Sequence, residues 1–203
     1  MPRPPLPGPW SNINDFLIQR ENLDLEAIGQ TKYDLVIMDY SADLSREARF
    51  TPGQIARLKN SPGGERTVLA YLNIGEAEDY RSYWRPEWTS QPPGWLDAEV
   101  VGRPGHFWAQ YWEKGWHSIL YGSPDSYLDD IIAAGFDGVL LARVDAYEYF
   151  GERPAAQKEM VDLGTSIAIY ARTIGGKPDF IVLAHNGERL SPYPEFTSAV
   201  TGI

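Results

Sequence analysis

Four short apolar runs constrain the fold of this chain more than any other feature of its sequence. They are Leu35 to Met38, Val68 to Ile74, Val139 to Leu141 and Phe180 to Ala184, and none alternates strictly between apolar and polar residues. Runs without such alternation are typical of strands that are buried on both faces. The sequence therefore predicts a sheet that is covered by other elements on both sides.

Segments with helical character lie between these runs. The string Thr-Pro-Gly-Gln at residues 51–54 is a helix start signal, with an N-cap, a proline in the first turn and a reciprocal glutamine. Apolar residues recur at helical spacing over residues 127–132, before Gly135, and again over residues 160–174. Alternating strands and helices predict an α/β fold with a parallel sheet, either a barrel or a doubly wound sheet.

The chain length of 203 residues suits one domain. We expect residues 1–10, which are rich in proline, to form an extended arm, and residues 11–203 to form the domain. Residues 79–116 are rich in Trp, Pro and Gly and fit neither a helix nor a strand pattern. Long loops of this kind are usually functional. Within this loop, residues 107–112 predict a short strand, which would be the fourth of the sheet.

Charge and composition exclude several classes of function. The net charge of −10 disfavours nucleic acid and anionic membrane surfaces as partners. No run of about 18 apolar residues occurs, so membrane insertion is not expected. Cysteine is absent, which excludes a catalytic thiol and a thiolate metal site. The N-terminus lacks the apolar stretch of a secretory signal, which leaves a cytoplasmic protein or a removed leader; the oligomeric state is not predicted.

Polar and mostly acidic residues close each apolar run. They are Asp39 and Tyr40; Glu76, Glu78 and Asp79; Arg143, Asp145, Tyr147 and Glu148; and His185, Asn186 and Glu188. Because ligands of parallel α/β folds bind at the carboxyl ends of the strands, we expect these residues to converge on one rim. A pair of carboxylates can divide the acid and nucleophile or base roles of glycoside hydrolysis. Aromatic rings suit sugar stacking, and Tyr83, Trp84 and Trp112 are predicted to form the wall of a cleft.

Two alternatives remain open for these residues. Asp39, Asp145 and Glu188 could instead cap helices or pair with Arg81, Arg143 and Arg189, because structural ion pairs use the same residue types. A divalent metal site that includes His185 is not favoured, since the three histidines lack the spacing of metal-binding motifs. The chain contains neither a Walker-type loop nor a G-x-S-x-G string.

Four strings, in this order along the chain, carry a family resemblance. They are YDLVIMDY (33–40), YLNIGEAEDYRSYW (71–84), GFDGVLLARVDAYEY (135–149) and HNGERL (185–190). Together they resemble glycoside hydrolase family 114, the endo-α-1,4-polygalactosaminidases and their uncharacterised bacterial and archaeal relatives. The resemblance implies a (β/α)8 TIM barrel that cleaves α-1,4-linked, partly deacetylated galactosamine polymers within the chain. It implies no metal or organic cofactor, and a secreted or periplasmic location.

The resemblance also implies roles for individual residues. The family pattern has one catalytic carboxylate at the first Asp of a D-x-V-D segment and another at the Glu of an N-G-E segment. That Glu matches Glu188, and the last Asp of the D-x-V-D segment matches Asp145, in a supporting acidic role. Ala142 occupies the position of the first Asp, which implies a chain without turnover. The implied sugar-binding positions are Asp39, Tyr71, Asn73, Glu78 and Arg81, with Arg143, Asn186 and Tyr147 positioning sugars.

Two further expectations concern the barrel and the rival functions. Strands near residues 16, 35, 69, 108, 139, 181 and 199–203 amount to about seven, so we expect a barrel that is incomplete at its C-terminal end.

One rival to the hydrolase is a non-catalytic carbohydrate-binding protein on the same fold, which Ala142 would suit. The other is a structural or assembly role, in which the acids form ion pairs and the aromatic loop forms an interface.

Overall fold

A computed structural model describes residue 10 and residues 12–203. Its strands are β1 (Phe16–Gln19), β2 (Leu35–Met38), β3 (Asn60–Ser61), β4 (Gly64–Glu65), β5 (Thr67–Asn73), β6 (Glu76–Glu78), β7 (Leu96–Glu99), β8 (His106–Ala109), β9 (Gly138–Ala142) and β10 (Ile181–Ala184). Its helices are α1 (Leu25–Gly29), α2 (Pro52–Lys59), α3 (Lys114–Leu120), α4 (Tyr127–Ala134), α5 (Ala156–Thr173) and α6 (Pro194–Ala199). The proline-rich arm predicted for residues 1–10 lies, apart from Trp10, outside the described residues.

A parallel sheet organises the described part of the chain, where five strands pair in the order β1-β2-β5-β9-β10. Every residue of β2 and of β9 is buried, as their lack of alternation predicted. The helix α2 connects β2 to the β3–β4 hairpin and β5, and α5 connects β9 to β10. The predicted α/β class with a parallel sheet is therefore confirmed.

The strand predicted near residues 107–112 exists as β8, but it does not belong to the parallel sheet. It pairs antiparallel with β6 and β7 in a separate three-stranded sheet of the described residues. A parallel partner needs a crossover of a dozen residues or more, usually with a helix. Here β6 follows β5 after a two-residue turn, and the chain reaches β8 before the next α-helix begins. The prediction of a fourth parallel strand at this place was wrong, and β9 takes that position.

The last residues of the chain add a single bridge beside β10. Gly202 pairs in parallel with Leu183, and the indole Nε1 of Trp10 donates a hydrogen bond to the carbonyl of Thr201 at 3.0 Å. Of the roughly seven strands expected, the described residues thus place five in the parallel sheet, with this bridge beyond β10.

Side chains alternate between the two faces of the parallel sheet, and this alternation decides which side chains reach the site. One face packs on the helices in the main core. The other face carries a smaller apolar cluster, formed by Leu35, Ile37, Leu69, Leu140 and Ile181. By the same alternation, Asp39, Asn73 and Ala142 continue this second face at the carboxyl ends of β2, β5 and β9.

Two predicted helix boundaries are confirmed. Thr51 caps α2 through a reciprocal capping box with Gln54. The helix α4 ends at Gly135, whose φ of 85° lies in the left-handed region that glycine adopts without strain. None of the helices described here is long and apolar enough to cross a bilayer.

Candidate active site

Polar side chains gather at the carboxyl ends of the parallel strands. Asp39 follows β2 and is fully buried. Asn73 is the last residue of β5 and lies in register with Ala142, the last residue of β9. Arg143 follows β9 directly, and Asn186 lies two residues beyond β10. The strand ends therefore bring together residues that are more than 140 positions apart in the chain.

Arg81 joins two buried carboxylates into one ion-paired unit. Its Nη1 lies 2.8 Å from Asp39 Oδ2, and its Nε lies 2.6 Å from Glu78 Oε2. Glu78 Oε1 also lies 3.3 Å from Arg20 Nη2 and accepts a hydrogen bond from Asn73 Nδ2 at 3.2 Å. These contacts tie the carboxyl ends of β1, β2 and β5 together.

The two carboxyl groups bound to Arg81 differ in acidity. Burial raises the pKa of Asp39, and the Arg81 guanidinium offsets only part of this effect. Burial would also raise the pKa of Glu78, but Arg81, Arg20 and the Asn73 amide together hold it below its usual value. Both acids form ion pairs with Arg81 and so stabilise the strand ends. Their predicted contact with a sugar stays a prediction.

Glu76 is a third buried carboxylate, and it is held by three basic side chains. Its oxygens lie 2.8 Å from Arg103 Nη1, 2.6 Å from Arg143 Nε and 3.3 Å from His106 Nδ1. The sequence showed Glu76 as one of the closing acids but did not show these partners, because Arg103 and His106 come from the loop that lacks a pattern. Within the described residues no group of three or more His, Asp or Glu side chains is arranged to hold a metal ion.

Asp145 lies at the solvent side of this network. Its Oδ2 lies 3.6 Å from Arg143 Nη1 and accepts a hydrogen bond from Asn186 Nδ2 at 3.3 Å. Arg143 and Asn186 both have positive φ, of 60° and 63°. Few non-glycine residues adopt this region, and strained backbone of this kind clusters at functional sites. The ends of the adjacent strands β9 and β10 thus each present a polar side chain from a residue with positive φ.

Glu188 is exposed and begins the 3-10 turn Glu188–Leu190. Burial raises the pKa of Tyr147, the carboxylates of Glu148, Asp145 and Glu188 raise it further, and the Arg189 guanidinium lowers it. Arg189 forms its ion pair with Glu148, at 2.9 Å, and not with Glu188. The Glu188 carboxylate is therefore accessible to a ligand.

The predicted cleft wall of Tyr83, Trp84 and Trp112 needs correction. Tyr83 and Trp84, with Tyr40, line a groove beside α3 and α4. Trp112 lies apart from them, edge-to-face on Phe150 with 4.8 Å between ring centroids. Tyr111 also lies edge-to-face on Trp112, at 5.1 Å between centroids, and the guanidinium of Arg153 is 4.2 Å from the Trp112 ring centroid. Tertiary packing decides which tryptophans share a surface, and spacing along the loop does not reveal it.

A different aromatic pair lies beside the rim, and no sequence pattern had indicated it. Trp108 and Tyr149 stack with 4.4 Å between ring centroids and 9° between ring planes. The Arg143 guanidinium lies 4.9 Å from the Trp108 centroid. Tyr71, a predicted sugar contact, is itself covered by the Arg20 guanidinium at 3.8 Å. No local signal could join Trp108 to Tyr149, because β8 and the turn after β9 meet only in the folded chain.

Comparison with known sequences decides the family of this chain. The profile of the glycoside hydrolase family GH114 matches residues 21–199. The chain belongs to family GH114. An uncharacterized protein of Thermotoga maritima is 33% identical over 202 residues, which is 96% of this chain and 60% of that relative. The chain thus spans three fifths of the length of this GH114 relative.

Solved structures of similar fold agree with the GH114 assignment. A variant of the glycoside hydrolase domain of PelA from Pseudomonas aeruginosa aligns with a TM-score of 0.65 and 15% identity, over 94% of this chain and 66% of that chain. Ega3 of Aspergillus fumigatus, in complex with galactosamine, aligns with a TM-score of 0.59 and 16% identity, over 95% and 76%. At such low sequence identity, these structural similarities concern the fold alone. They confirm the predicted TIM-barrel-like fold class.

In this GH114 chain, Gly75 lets the turn between β5 and β6 pass close to the end of β9. A Cβ at Gly75 would lie 2.3 Å from the carbonyl oxygen of Arg143 and 2.6 Å from Ala146 Cβ. We expect Gly75→Ala to lower the free energy of unfolding by about 1–3 kcal/mol, because backbone has to move. Urea unfolding measures this change. The control Gly94→Ala, with no atom within 4 Å of its new Cβ, should stay within about 0.5 kcal/mol of the wild type. Equal midpoints for both variants would contradict the close approach.

Proposed function

We propose that this GH114 chain binds a galactosamine-containing polysaccharide at the carboxyl ends of its parallel strands, with Glu188 and Asp145 facing the sugar. The observation that carries this proposal is that Glu188 is exposed two residues after Asn186, which donates a hydrogen bond to the partly exposed Asp145. The buried acids Asp39, Glu76 and Glu78 are already neutralised by arginines and support the rim from beneath.

Charge supports a cationic sugar over an anionic one. The chain carries a net charge of −10, Glu188 is exposed, and the Asp145 side chain is partly exposed. Deacetylated galactosamine carries a positive ammonium group at neutral pH, so it is attracted by this field. The galactosamine bound to Ega3, a protein of similar fold, supports the same class of ligand.

In the proposed site Glu188 takes the role of proton donor, and Asp145 stabilises positive charge on the sugar. Arg143 and Asn186 hold Asp145 and would position sugar hydroxyls. Glycoside hydrolysis needs a second carboxylate in line with the scissile bond. The family pattern places that group at residue 142, where this chain has a methyl group that can neither attack nor stabilise the transition state.

Ala142 favours carbohydrate binding without cleavage over hydrolysis as the activity of this site. Its side chain is buried at the end of β9, and Asn73 lies beside it in register. The binding surface formed by Asp145, Asn186 and Glu188 does not need a carboxylate at residue 142. The two candidates therefore share one ligand and differ only in turnover.

Binding and digestion of an α-1,4-galactosamine oligomer test the proposal. We expect the wild type to bind the oligomer without releasing new reducing ends, and Glu188→Gln to bind it about 3–10-fold more weakly, because one favourable charge is lost. The control is Glu65→Gln, which removes an exposed acid from β4, ahead of the amino end of β5. We expect this control to bind within about twofold of the wild type. Equal affinity of the three proteins, or no binding by the wild type, would overturn the proposal.

A further inference from the structure

A second groove lies beside the strand-end site, between the loop after β6 and the helices α3 and α4. Its volume is about 660 Å³, which falls in the range of small-molecule sites. Tyr40, Tyr83, Trp84, Trp88, Trp95 and Tyr127 line one side of it. The buried Arg81 unit lies behind this lining, since the Arg81 guanidinium is 5.7 Å from the Tyr127 ring centroid.

The aromatic lining of the groove consists of two groups of rings that are joined through Trp116, which lies 5.0 Å from Trp95 and 5.7 Å from Tyr83 between centroids. Centroid distances are 5.4 Å for Trp84–Trp88, 5.1 Å for Trp88–Trp95, 5.4 Å for Tyr83–Tyr127 and 4.9 Å for Tyr40–Tyr127. Trp84 is further fixed by stacking on Phe107, at 4.9 Å and 30°. Trp84 and Trp88 are only partly buried, so they keep ring surface for a ligand.

The opposite side of the groove is polar and held in place by ion pairs. Arg46 Nε lies 2.7 Å from Asp130 Oδ2, and Arg46 also pairs with Asp125. Ser118 and Ser123 add hydroxyl groups to this side. The groove therefore offers ring faces on one side and fixed hydrogen-bonding groups on the other.

The charges that line the groove cancel. Arg46 and Arg85 carry two positive charges, and Asp125 and Asp130 carry two negative charges. The strand-end site differs, because its rim acids Asp145 and Glu188 remain accessible. A groove of zero formal charge gives no electrostatic preference for an anion or for an amino sugar.

We propose that this groove is a second saccharide site, which takes neutral pyranose units. The apolar face of a pyranose ring packs on Trp84 and Trp88, and its hydroxyl groups meet the Arg46, Asp130 and Ser118 side. Partly deacetylated polymers contain neutral acetylated units as well as cationic ones, so one chain could occupy both sites. The groove binds its ligand without help from Glu188, so this inference does not rest on the proposed strand-end function.

Titration with two tetrasaccharides tests the inference. The probes are a fully N-acetylated galactosamine tetrasaccharide, which is neutral, and its fully deacetylated, cationic form. Nuclear magnetic resonance follows the indole N–H signals of the wild type. We expect the neutral probe to shift the Trp84 and Trp88 signals and to leave the Trp112 signal unchanged. No shift of the Trp84 and Trp88 signals would overturn the inference. This measurement uses only the wild type, so it does not depend on whether any variant folds.

Matched variants separate the groove from the strand-end site. We expect Trp88→Ala to weaken binding of the neutral probe about tenfold, because it removes one stacking surface. Trp112→Ala, the control with a tryptophan outside the groove, and Glu188→Gln should each stay within about twofold for this probe. Glu188→Gln should weaken only the cationic probe. Loss of neutral-probe binding in Glu188→Gln, or equal loss in Trp112→Ala, would contradict a separate site.

Discussion

Ala142→Asp is expected to raise the rate of hydrolysis of partly deacetylated α-1,4-galactosamine polymers by about three orders of magnitude or more over the wild type. The physical reason is that the substitution restores the second carboxylate that the chemistry requires. Ala142 ends β9 on the face that carries the strand-end site, in register with Asn73. Release of new reducing ends, measured with matched amounts of folded protein, gives the rate.

Two control variants isolate the contribution of the new carboxylate. Ala142→Asn adds a side chain of similar size without the charge, and we expect it to remain at the wild-type rate. Glu188→Gln in the Ala142→Asp background should remove most of the gained activity, because the proton donor is then missing. A folded Ala142→Asp protein that cleaves no amino-sugar polymer would contradict the inherited catalytic arrangement.

Arg81→Met is expected to lower the free energy of unfolding by about 3–5 kcal/mol, the cost typical of breaking a buried ion pair on one side. Arg81 is 5% exposed, and it is the shared partner of Asp39 and Glu78. Without it, Asp39 loses its ion pair, and Glu78 keeps Arg20 at 3.3 Å, the Asn73 amide at 3.2 Å and His106 Nδ1 at 3.8 Å. Urea unfolding at pH 7 measures the loss. The control Arg153→Met breaks an exposed pair with Glu159, so we expect a much smaller loss than for Arg81→Met.

The pH dependence of the stability lost in Arg81→Met distinguishes the contribution of the ion pairs from that of side-chain packing. In the wild type the pKa of Glu78 is lowered, so its stabilising contribution is present above its unfolded pKa and is lost as the pH falls. Without Arg81 we expect burial to raise the pKa of both carboxyl groups, so the variant loses stability as the pH rises. The difference between variant and wild type should therefore be larger at about pH 7 than at about pH 4. A loss that is independent of pH would indicate packing alone.

Local sequence signals predicted the parts of the fold that local physics controls. The strands β2 and β9 were visible because each is buried on both faces and carries no polar residue that would mark an exposed face. The start of α2 was visible because Thr51 and Gln54 satisfy backbone groups only a few residues away. The contact between Asp145 and Asn186 at the ends of β9 and β10 agrees with a general rule for parallel sheets.

The remaining parts depend on contacts between distant segments. β8 was placed in the wrong sheet because the sequence of a short strand does not specify its partner. The burial of Glu76 by Arg103 and Arg143, and the stacking of Trp108 on Tyr149, join residues that are 27 or more positions apart. Periodicity in a window of a dozen residues contains no information about such pairs.

A crystal structure of this chain with a bound α-1,4-galactosamine oligomer tests the central claim most directly. The account predicts a sugar ring at the carboxyl ends of β9 and β10, within hydrogen-bond distance of both Asp145 and Glu188. An oligomer bound only elsewhere on the molecule, with the Asp145 and Glu188 carboxylates exposed to solvent alone, would contradict it.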